Sequence, residues 1–194
     1  MKRLSLLIAV LSIACAARAQ KVQVALNEHN RYVYYEVVTL NGLPADSLRN
    51  NAAAFINAYY AKTGSKKLSD SSASASDKFL IYTSLSLAKH ENGQVSYTLH
   101  IECRDSKYRY WLSDFVYTPY EKDRYGNFVP IAGKDVALES AASKLDKKEF
   151  NNILDQTSAF CMQLGAKLKT FIAQPHLKKR TAGQQPPKVV TDKW

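Results

Sequence analysis

The sequence lacks a long apolar segment after its N-terminal stretch. This absence excludes a permanent membrane-spanning helix there, because such a helix needs about 20 apolar residues. Cysteine is scarce, since the 194 residues contain three, at positions 15, 103 and 161. There is also no internal repeat and no heptad pattern. With these features absent, a chain of 194 residues predicts one domain.

Motifs that mark common catalytic and cofactor sites are missing as well. No serine stands in a Gly-x-Ser-x-Gly context, and no glycine-rich phosphate loop is present. Segment 123–127 predicts a polar turn and not a calcium loop, since it lacks alternating carboxylates and a distal glutamate. His100 and Glu102 alternate onto one strand face, but no third metal ligand lies near them in sequence. We therefore predict neither a cofactor nor a metal site.

The N-terminal residues have the pattern of a secretory signal peptide. Lys2 and Arg3 precede an apolar run over residues 4–14, and Ala17 and Ala19 supply the small residues that a signal peptidase recognises. The run is too short to span a bilayer permanently. We predict a signal peptide over residues 1–19 and an exported mature protein, periplasmic or associated with the outer membrane.

A second way of processing the N-terminus stays open at Cys15. The stretch Ser12 to Cys15 loosely resembles a bacterial lipobox, in which the cysteine is lipidated and becomes the first residue. Ser12 stands where such boxes usually carry leucine, so cleavage after Ala19 is the better match. Lipidation at Cys15 would hold the protein at the membrane periphery.

The positive charge is concentrated at the chain ends. The formal net charge is +10, and removal of residues 1–19 takes away three of the cations. We expect an N-terminal arm over residues 20–30, one domain over 31–173 and a flexible tail over 174–194. The tail is strongly basic, so it is a second candidate for peripheral contact with anionic lipid. A basic domain surface is not indicated, and we expect no nucleic acid partner.

The hydrophobic pattern predicts one strand, one helix, several antiparallel strands and a long helix, in that order. A Tyr- and Val-rich strand covers Arg31 to Leu40, and a helix with one apolar stripe runs from Pro44 to Lys62. A strand begins near Phe79 and reaches an Asn92-Gly93 turn, after which alternation resumes. On that next strand Tyr97, Leu99 and Ile101 share the apolar face.

The C-terminal half of the pattern contains a third strand, a long connection and the second helix. The strand covers Tyr108 to Thr118, and a break in alternation at Asp114–Phe115 predicts a bulge. Pro119 to Ala142 is predicted as a long polar loop with a short helical turn near its end. Ser143 is the predicted cap of a helix that Pro175 ends.

These elements define an α+β class with two layers. Two amphipathic helices must bury their stripes, and the antiparallel strands offer one apolar face. We predict a β-α-β4-α unit in which both helices pack on one face of a curved antiparallel sheet. Cys103 on a strand and Cys161 on a helix are then about 7–8 Å apart at the closest, too far for a disulfide. We expect two buried free thiols.

Three stretches of the sequence resemble a family of exported bacterial proteins. They are Tyr34 to Val38, the Asn-Gly pair followed by Tyr97 to Glu102, and Lys107 to Phe115. The family, domain of unknown function 4468, is found mostly in Bacteroidota and is described as having a TATA-binding-protein-like (TBP-like) fold. The resemblance covers about Arg31 to Ala173 and implies the same β-α-β4-α unit. It implies neither catalytic residues nor DNA binding, since function resides in sites and not in folds.

The open face of the predicted sheet is the candidate for a function. Alternation places seven side chains away from the helices, namely Tyr82, Ser84, Ser86, Thr98, His100, Arg109 and Trp111. Of these, Tyr82, His100, Arg109 and Trp111 are the candidate ligand-binding residues, because aromatic rings beside Arg and His suit a sugar, a peptide or a partner protein. The same residues could instead form cross-strand pairs that only stabilise the sheet, or the face could pair with a second copy.

Three functions remain open from the sequence. The first is a non-enzymatic module that binds a ligand or an envelope protein through the open sheet face and the loop over 119–142. The second is an enzyme acting on envelope material, with a site assembled from residues distant in sequence. The third is a structural or assembly factor held by the basic tail.

Overall fold

The structure is a computed structural model that describes residues 24–62, 65–69, 71–83 and 90–174. The predicted signal peptide, Cys15, the first residues of the arm, Ser84 and Ser86, and the tail beyond Gln174 lie outside the described residues. Within the described ranges, no helix is both long enough and apolar enough to cross a membrane.

The described strands form one antiparallel sheet. Their bounds are Ala25–Leu26 (β1), Tyr32–Thr39 (β2), Lys66–Leu68 (β3), Ser72–Tyr82 (β4), Glu91–Arg104 (β5), Lys107–Lys122 (β6), Phe128–Pro130 (β7) and Val136–Ala137 (β8). The order across the sheet is β1-β2-β6-β5-β4-β3, and the short β7 and β8 both pair with β6. The described residues form three helices, which are Ala45–Tyr59 (α1), Leu138–Lys144 (α2) and Lys147–Ala173 (α3).

The predicted α+β class and the β-α-β4-α order are confirmed. Strand β2, helix α1, strands β3 to β6 and helix α3 make that unit, and β1, β7, β8 and α2 are additions to it. The sheet order follows from two hairpins, because β4 pairs with β5 and β5 pairs with β6. Strand β2 then completes the centre by pairing with the other edge of β6.

Helices α1 and α3 pack on the same face of the sheet. Phe160 of α3 stacks on Phe79 of β4, with ring centroids 4.0 Å apart. Phe55 of α1 meets Phe171 of α3 edge to face at 5.5 Å. The fully buried aliphatic side chains of α3 recur at helical spacing, so one stripe of the helix lies in the core. The two-layer arrangement is therefore confirmed.

Side chains on β5 alternate between core and surface as predicted. Tyr97, Leu99 and Ile101 are buried, and the residues between them are partly exposed. On β6, Tyr108, Tyr110 and Leu112 face the core in the same way. One face of the central strands therefore lies against the helices, and the opposite face carries the exposed alternate residues.

The predicted bulge in β6 is confirmed. Asp114 and Phe115 together lie opposite Tyr97, because Ser96 pairs with Val116 while Thr98 pairs with Ser113. Asp114 adopts a left-handed backbone conformation with φ 56°. The extra residue resets the alternation, so Phe115 and Tyr117 are buried beyond it.

The predicted turn at Asn92–Gly93 is wrong, because both residues lie inside β5. Gly93 is required by close packing and not by a turn. A Cβ atom there would lie 2.5 Å from the ring of Tyr117 and 2.6 Å from the carbonyl oxygen of Thr118. Strand β4 correspondingly begins at Ser72 and ends at Tyr82, so it starts and ends earlier than the alternation suggested.

The predicted long loop over 119–142 is also wrong. Residues 119–122 continue β6, and the segment 128–130 returns as β7 to pair with it. The polar turn between them is as predicted: Asp123 accepts hydrogen bonds from the backbone N–H of Tyr125 and Asn127 at 2.8 Å each. The short helix near the end of the segment is confirmed as α2. Sequence polarity alone did not distinguish an exposed hairpin from a loop.

Ser143 is not the cap of the long helix. Helix α3 starts at Lys147, and the side chain of Asp146 accepts hydrogen bonds from the N–H of Lys148 and Glu149 at 2.9 Å. Asp146 satisfies two donors that no helical carbonyl can reach. Ser143 lies within α2, where its hydroxyl donates to the carbonyl of Ser140.

The two cysteines of the domain are free and buried, as predicted. Burial raises the pKa of the Cys103 thiol to about 11, although Arg49 opposes the shift. Burial also raises the pKa of Cys161, which is fully enclosed. Both side chains pack as small apolar groups.

Candidate functional site

The open sheet face is organised in rows of directly paired residues across β5, β6 and β2. His100, Trp111 and Tyr35 form one row, which we call the aromatic row. The next row toward the β5–β6 hairpin contains Glu102, Arg109 and Val37, and the last row contains Arg104, Lys107 and Thr39. The side chains of one row are neighbours because paired residues on one face have Cβ atoms about 5 Å apart.

Trp111 and His100 stack on each other at the centre of this face. Their ring centroids are 4.8 Å apart and their planes differ by 10°. Burial lowers the pKa of His100 below its ordinary 6.5, although the charges of Asp114 and Glu102 oppose the shift. The imidazole is therefore neutral at neutral pH, and it extends the apolar surface of the indole.

Arg109 joins the aromatic row to its neighbouring carboxylate. Its guanidinium lies over the Trp111 ring at 5.4 Å from the ring centroid. It also donates to Oε2 of Glu102 from Nε at 2.8 Å and from a terminal nitrogen at 2.6 Å. The hydrogen bond to Glu102, together with a bond to Tyr35, raises the pKa of Arg109. Arg109 is fixed by these contacts and presents a planar cation beside the indole.

The bulge in β6 lies on the side of the aromatic row away from the β5–β6 hairpin. Asp114 at the bulge accepts from the hydroxyl of Ser113 at 3.0 Å and pairs with Arg31 at 3.2 Å. Arg31 precedes β2, so this ion pair ties the entry of β2 to the bulge in β6. Both side chains are about half exposed, and the pair contributes little to stability by itself.

A shallow groove is lined by two members of the aromatic row, Tyr35 and Trp111. Its volume is about 670 Å³, and it runs between the β1 segment and the outer faces of β2 and β6. Leu26, Val33, Tyr35 and Trp111 supply its apolar wall. Leu26 and Tyr35 are 52% and 49% exposed, so the wall faces solvent. The groove meets a smaller pocket of about 200 Å³ near the β5–β6 hairpin, since Tyr35 and Arg109 line both.

The structure brings together three of the four predicted site residues. His100, Arg109 and Trp111 are contiguous, whereas Tyr82 lies far along the sheet. Tyr82 pairs with Glu91, while Ser74 on the same strand pairs with His100. Eight residues of strand separate these positions, about 27 Å. The backbone of Tyr82 is bound by Gln156 and Asn152 of α3, so Tyr82 belongs to a different part of the surface.

Thr98 lies on the open face as predicted, but its hydroxyl is already bonded to Ser76 at 3.0 Å. Sequence reasoning missed Tyr35, Val37, Arg31 and Asp114 as neighbours of Trp111. Tyr35 alternates with buried Tyr34 and could have been assigned to the open face from that alternation. Alternation could not show that β2 lies beside β6, because the period of the side chains does not reveal which strands pair with each other.

Within the described ranges, no group of three or more His, Cys, Asp or Glu side chains is arranged to hold a metal ion. His100 and Glu102 share the open face, but the carboxylate of Glu102 is bound by Arg109. The arrangement can stack on a planar or apolar group and can bind a charged one beside it.

The fold and the open sheet face place the chain among two-layer α+β proteins of TBP-like fold. A TBP-like protein from Parabacteroides distasonis ATCC 8503 is similar in structure, with a TM-score of 0.60 and 15% identity over 79% of this chain and 99% of that chain. A DUF4468 family protein from Bacteroides ovatus ATCC 8483 gives a TM-score of 0.58 and 12% identity, over 80% and 95% of the two chains. These likenesses establish the fold.

Residues 34–118 match the family described as domain of unknown function (DUF4468) with TBP-like fold. The resemblance drawn from the sequence is therefore confirmed over this range, which includes most of β2 and β6, all of β5 and the whole aromatic row. No curated protein matches the chain.

Proposed function

We propose that this protein is a non-enzymatic module that binds a ligand or an envelope protein on its open sheet face. The observation that carries the proposal is the aromatic row, in which Trp111 stacks on His100 beside a groove of about 670 Å³. Large rings held in fixed positions at the surface lose little conformational entropy on binding. Binding is favoured over catalysis because the groove is shallow and its side chains Arg31, Asp114 and Arg109 are already engaged in ion pairs.

The surroundings of the groove support a role in recognition. Exposed Leu26, Tyr35 and Val37 are contiguous with Trp111, whereas single exposed apolar residues scattered on a surface need no explanation. Arg109 and Glu102 flank this apolar surface as a bonded pair. An apolar centre with charged groups at its rim is the composition expected of a binding surface.

We also propose that the protein is exported to the cell envelope. The signal-peptide pattern of residues 1–19 supports export, and a periplasmic or outer-membrane site would present the groove to envelope components. Intact-mass measurement of the mature protein distinguishes cleavage after Ala19 from a lipid on Cys15. An uncleaved precursor would remove the basis for this location.

The test compares capture of envelope material by immobilised wild-type protein, Trp111→Ala and a control, Tyr125→Ala. Tyr125 is 76% exposed in the turn after β6 and does not line the groove, so the control removes an exposed aromatic ring elsewhere. We expect Trp111→Ala to lose the captured species, identified by mass spectrometry, and Tyr125→Ala to keep it. Circular dichroism verifies that all three proteins are folded. Equal capture by all three proteins would exclude the aromatic row as the binding surface.

A further inference from the structure

We propose that the pocket at the β5–β6 hairpin is an oxyanion subsite, which binds a carboxylate or phosphate group of the ligand that occupies the groove. We call it the hairpin pocket; it is lined by Tyr35, Val37, Glu102, Arg104, Lys107, Tyr108 and Arg109 and has a volume of about 200 Å³. This inference rests on the proposed function, which it refines by assigning a charge to the ligand.

Two cations of the hairpin pocket lie directly opposite each other. Arg104 and Lys107 are cross-strand partners on the open face, and both are exposed. Like charges at paired positions destabilise a sheet. Among the residues that the structure describes, neither side chain has an ion pair or a hydrogen bond. An anion between them would relieve their repulsion.

The nearby carboxylates are bound to other groups and form no ion pair with these two cations. Asp105 lies between them in sequence, but its Oδ1 accepts from the N–H of Ala45 at 2.9 Å, at the start of α1. Glu102 is bound by Arg109 through two nitrogens. The four charged side chains that line the pocket therefore keep a net charge of about +2.

The hairpin that carries the two cations is held in place by neighbouring segments. Ser106 has φ 59°, which closes the tight turn after Asp105. The N–H of Ser106 donates to the carbonyl of Leu43 at 3.0 Å, and the N–H of Leu40 donates to the carbonyl of Ser106 at 2.8 Å. The backbone at Arg104 and Lys107 is thus fixed before any ligand binds, which lowers the entropy lost on binding.

The position of the hairpin pocket sets a length for the ligand. Lys107 precedes Trp111 on β6 by four residues, so their Cα atoms are about 13 Å apart. A ligand that reaches both must be extended, with an apolar or ring-shaped part on the aromatic row and an acidic group at the hairpin end. Tyr35 and Arg109 line both cavities and form the continuous surface between them.

The test is an NMR titration of the purified protein with inorganic phosphate and, separately, with acetate, at low ionic strength. We expect saturable amide shifts centred on Arg104 and Lys107 with at least one of the two anions. Saturation by phosphate alone indicates a phosphorylated ligand, and saturation by acetate indicates a carboxylate. In Arg104→Gln/Lys107→Gln we expect the dissociation constant to rise about tenfold or more.

The matched control is Lys66→Gln/Lys67→Gln on β3, an edge strand that β4 separates from β5, which removes the same charge. It should leave the shifts at the hairpin unchanged. Shifts that persist in Arg104→Gln/Lys107→Gln, or the absence of any saturable shift, would overturn the inference. Trp111→Ala should still bind the anion. If the anion binds to the hairpin pocket but Trp111→Ala captures envelope material as the wild type does, only the proposed function of the aromatic row is rejected.

Discussion

The hydroxyl of Tyr110 donates a hydrogen bond of 2.5 Å to Oε2 of Glu36, on the face of the sheet that meets α3. Lys169 of α3 binds the other oxygen of the same carboxylate at 2.6 Å. Glu36 therefore links β2, β6 and the long helix through one charged group. Its side chain is only 25% exposed, so removal of either donor would leave a poorly solvated carboxylate.

Gly165 of α3 leaves the space that the Tyr110 hydroxyl needs. A Cβ atom at position 165 would overlap that hydroxyl and lie 3.1 Å from ring carbon Cζ. Replacing a helical glycine by alanine normally stabilises a protein by about 0.5–1 kcal/mol. For Gly165→Ala we expect the opposite sign, a loss of about 1–3 kcal/mol in the free energy of unfolding, because the core is overpacked. Urea unfolding measures this change.

A double-mutant cycle separates the overlap from other effects. In a Tyr110→Phe background the hydroxyl is gone, so Gly165→Ala should cost less than in the wild type by about 1 kcal/mol. An additive double mutant would mean that the alanine does not contact Tyr110, and the close approach would be wrong.

The Glu36 network predicts how stability depends on pH. Burial by itself would raise the pKa of Glu36, but hydrogen bonds from Lys169 and Tyr110 and the charge of Lys169 outweigh it, so the pKa is lowered from 4.5. A carboxyl with a lowered pKa in the folded state contributes stability above its unfolded pKa and loses it as pH falls through the folded value. We expect the free energy of unfolding to fall more steeply below about pH 4.5 in the wild type than in Glu36→Gln.

The measurement is a series of urea unfolding curves between about pH 3 and pH 6. Glu121→Gln is the control, since Glu121 is exposed at the end of β6. Its pH dependence should follow the wild type. If Glu36→Gln also followed the wild type, the network would not stabilise the carboxylate form.

The fold was predictable from the sequence in those elements whose buried side chains recur with a regular period. Alternation on β5 and the helical stripes of α1 and α3 were enough to give two layers, because burial on one face imposes those periods. The prediction failed at Gly93, where the glycine accommodates the Tyr117 ring from a neighbouring strand. That contact joins residues far apart in the sequence. An Asn-Gly pair can occur within a strand as well as in a turn, so the pair alone did not distinguish the two.

The candidate site was predictable only in part for the same reason. His100, Arg109 and Trp111 lie on adjacent strands of a hairpin, so their register followed from the chain between them. Tyr82 lies on β4 near a register shift and pairs with Glu91, which alternation did not indicate. The Glu36 network, on the other face of the sheet, could not be found from the sequence, because the partner Lys169 lies far away along the chain.

The free cysteines give a prediction for thiol chemistry. Cys103 and Cys161 are buried, and burial raises the pKa of both thiols, to about 11 for Cys103. Reagents that attack the thiolate should therefore react slowly with the folded protein. In denaturant, without a reductant, we expect two reactive thiols per mature chain cleaved after Ala19. A count of zero would show that the two residues form a disulfide on export.

The stack of His100 on Trp111 predicts a change in fluorescence with pH. The pKa of His100 is lowered from 6.5 by burial, so the ring stays neutral until the pH falls below that value. Stability from a histidine of this kind is present above pH 6.5 and is lost as pH falls through the folded pKa. A protonated imidazole 4.8 Å from the indole should also quench its emission, so we expect quenching with a midpoint below pH 6.5.

The titration is carried out in Trp194→Phe, so that Trp111 is the sole emitting tryptophan. His100→Gln in the same background should abolish the transition, because the amide does not titrate. His90→Gln is the matched control: His90 stacks on Phe128, at 5.1 Å, and should not change the curve. A midpoint above pH 6.5 would mean that Asp114 and Glu102 dominate the environment of His100. The aromatic row would then carry a positive charge near neutral pH, and it would favour an anionic ring over an apolar one.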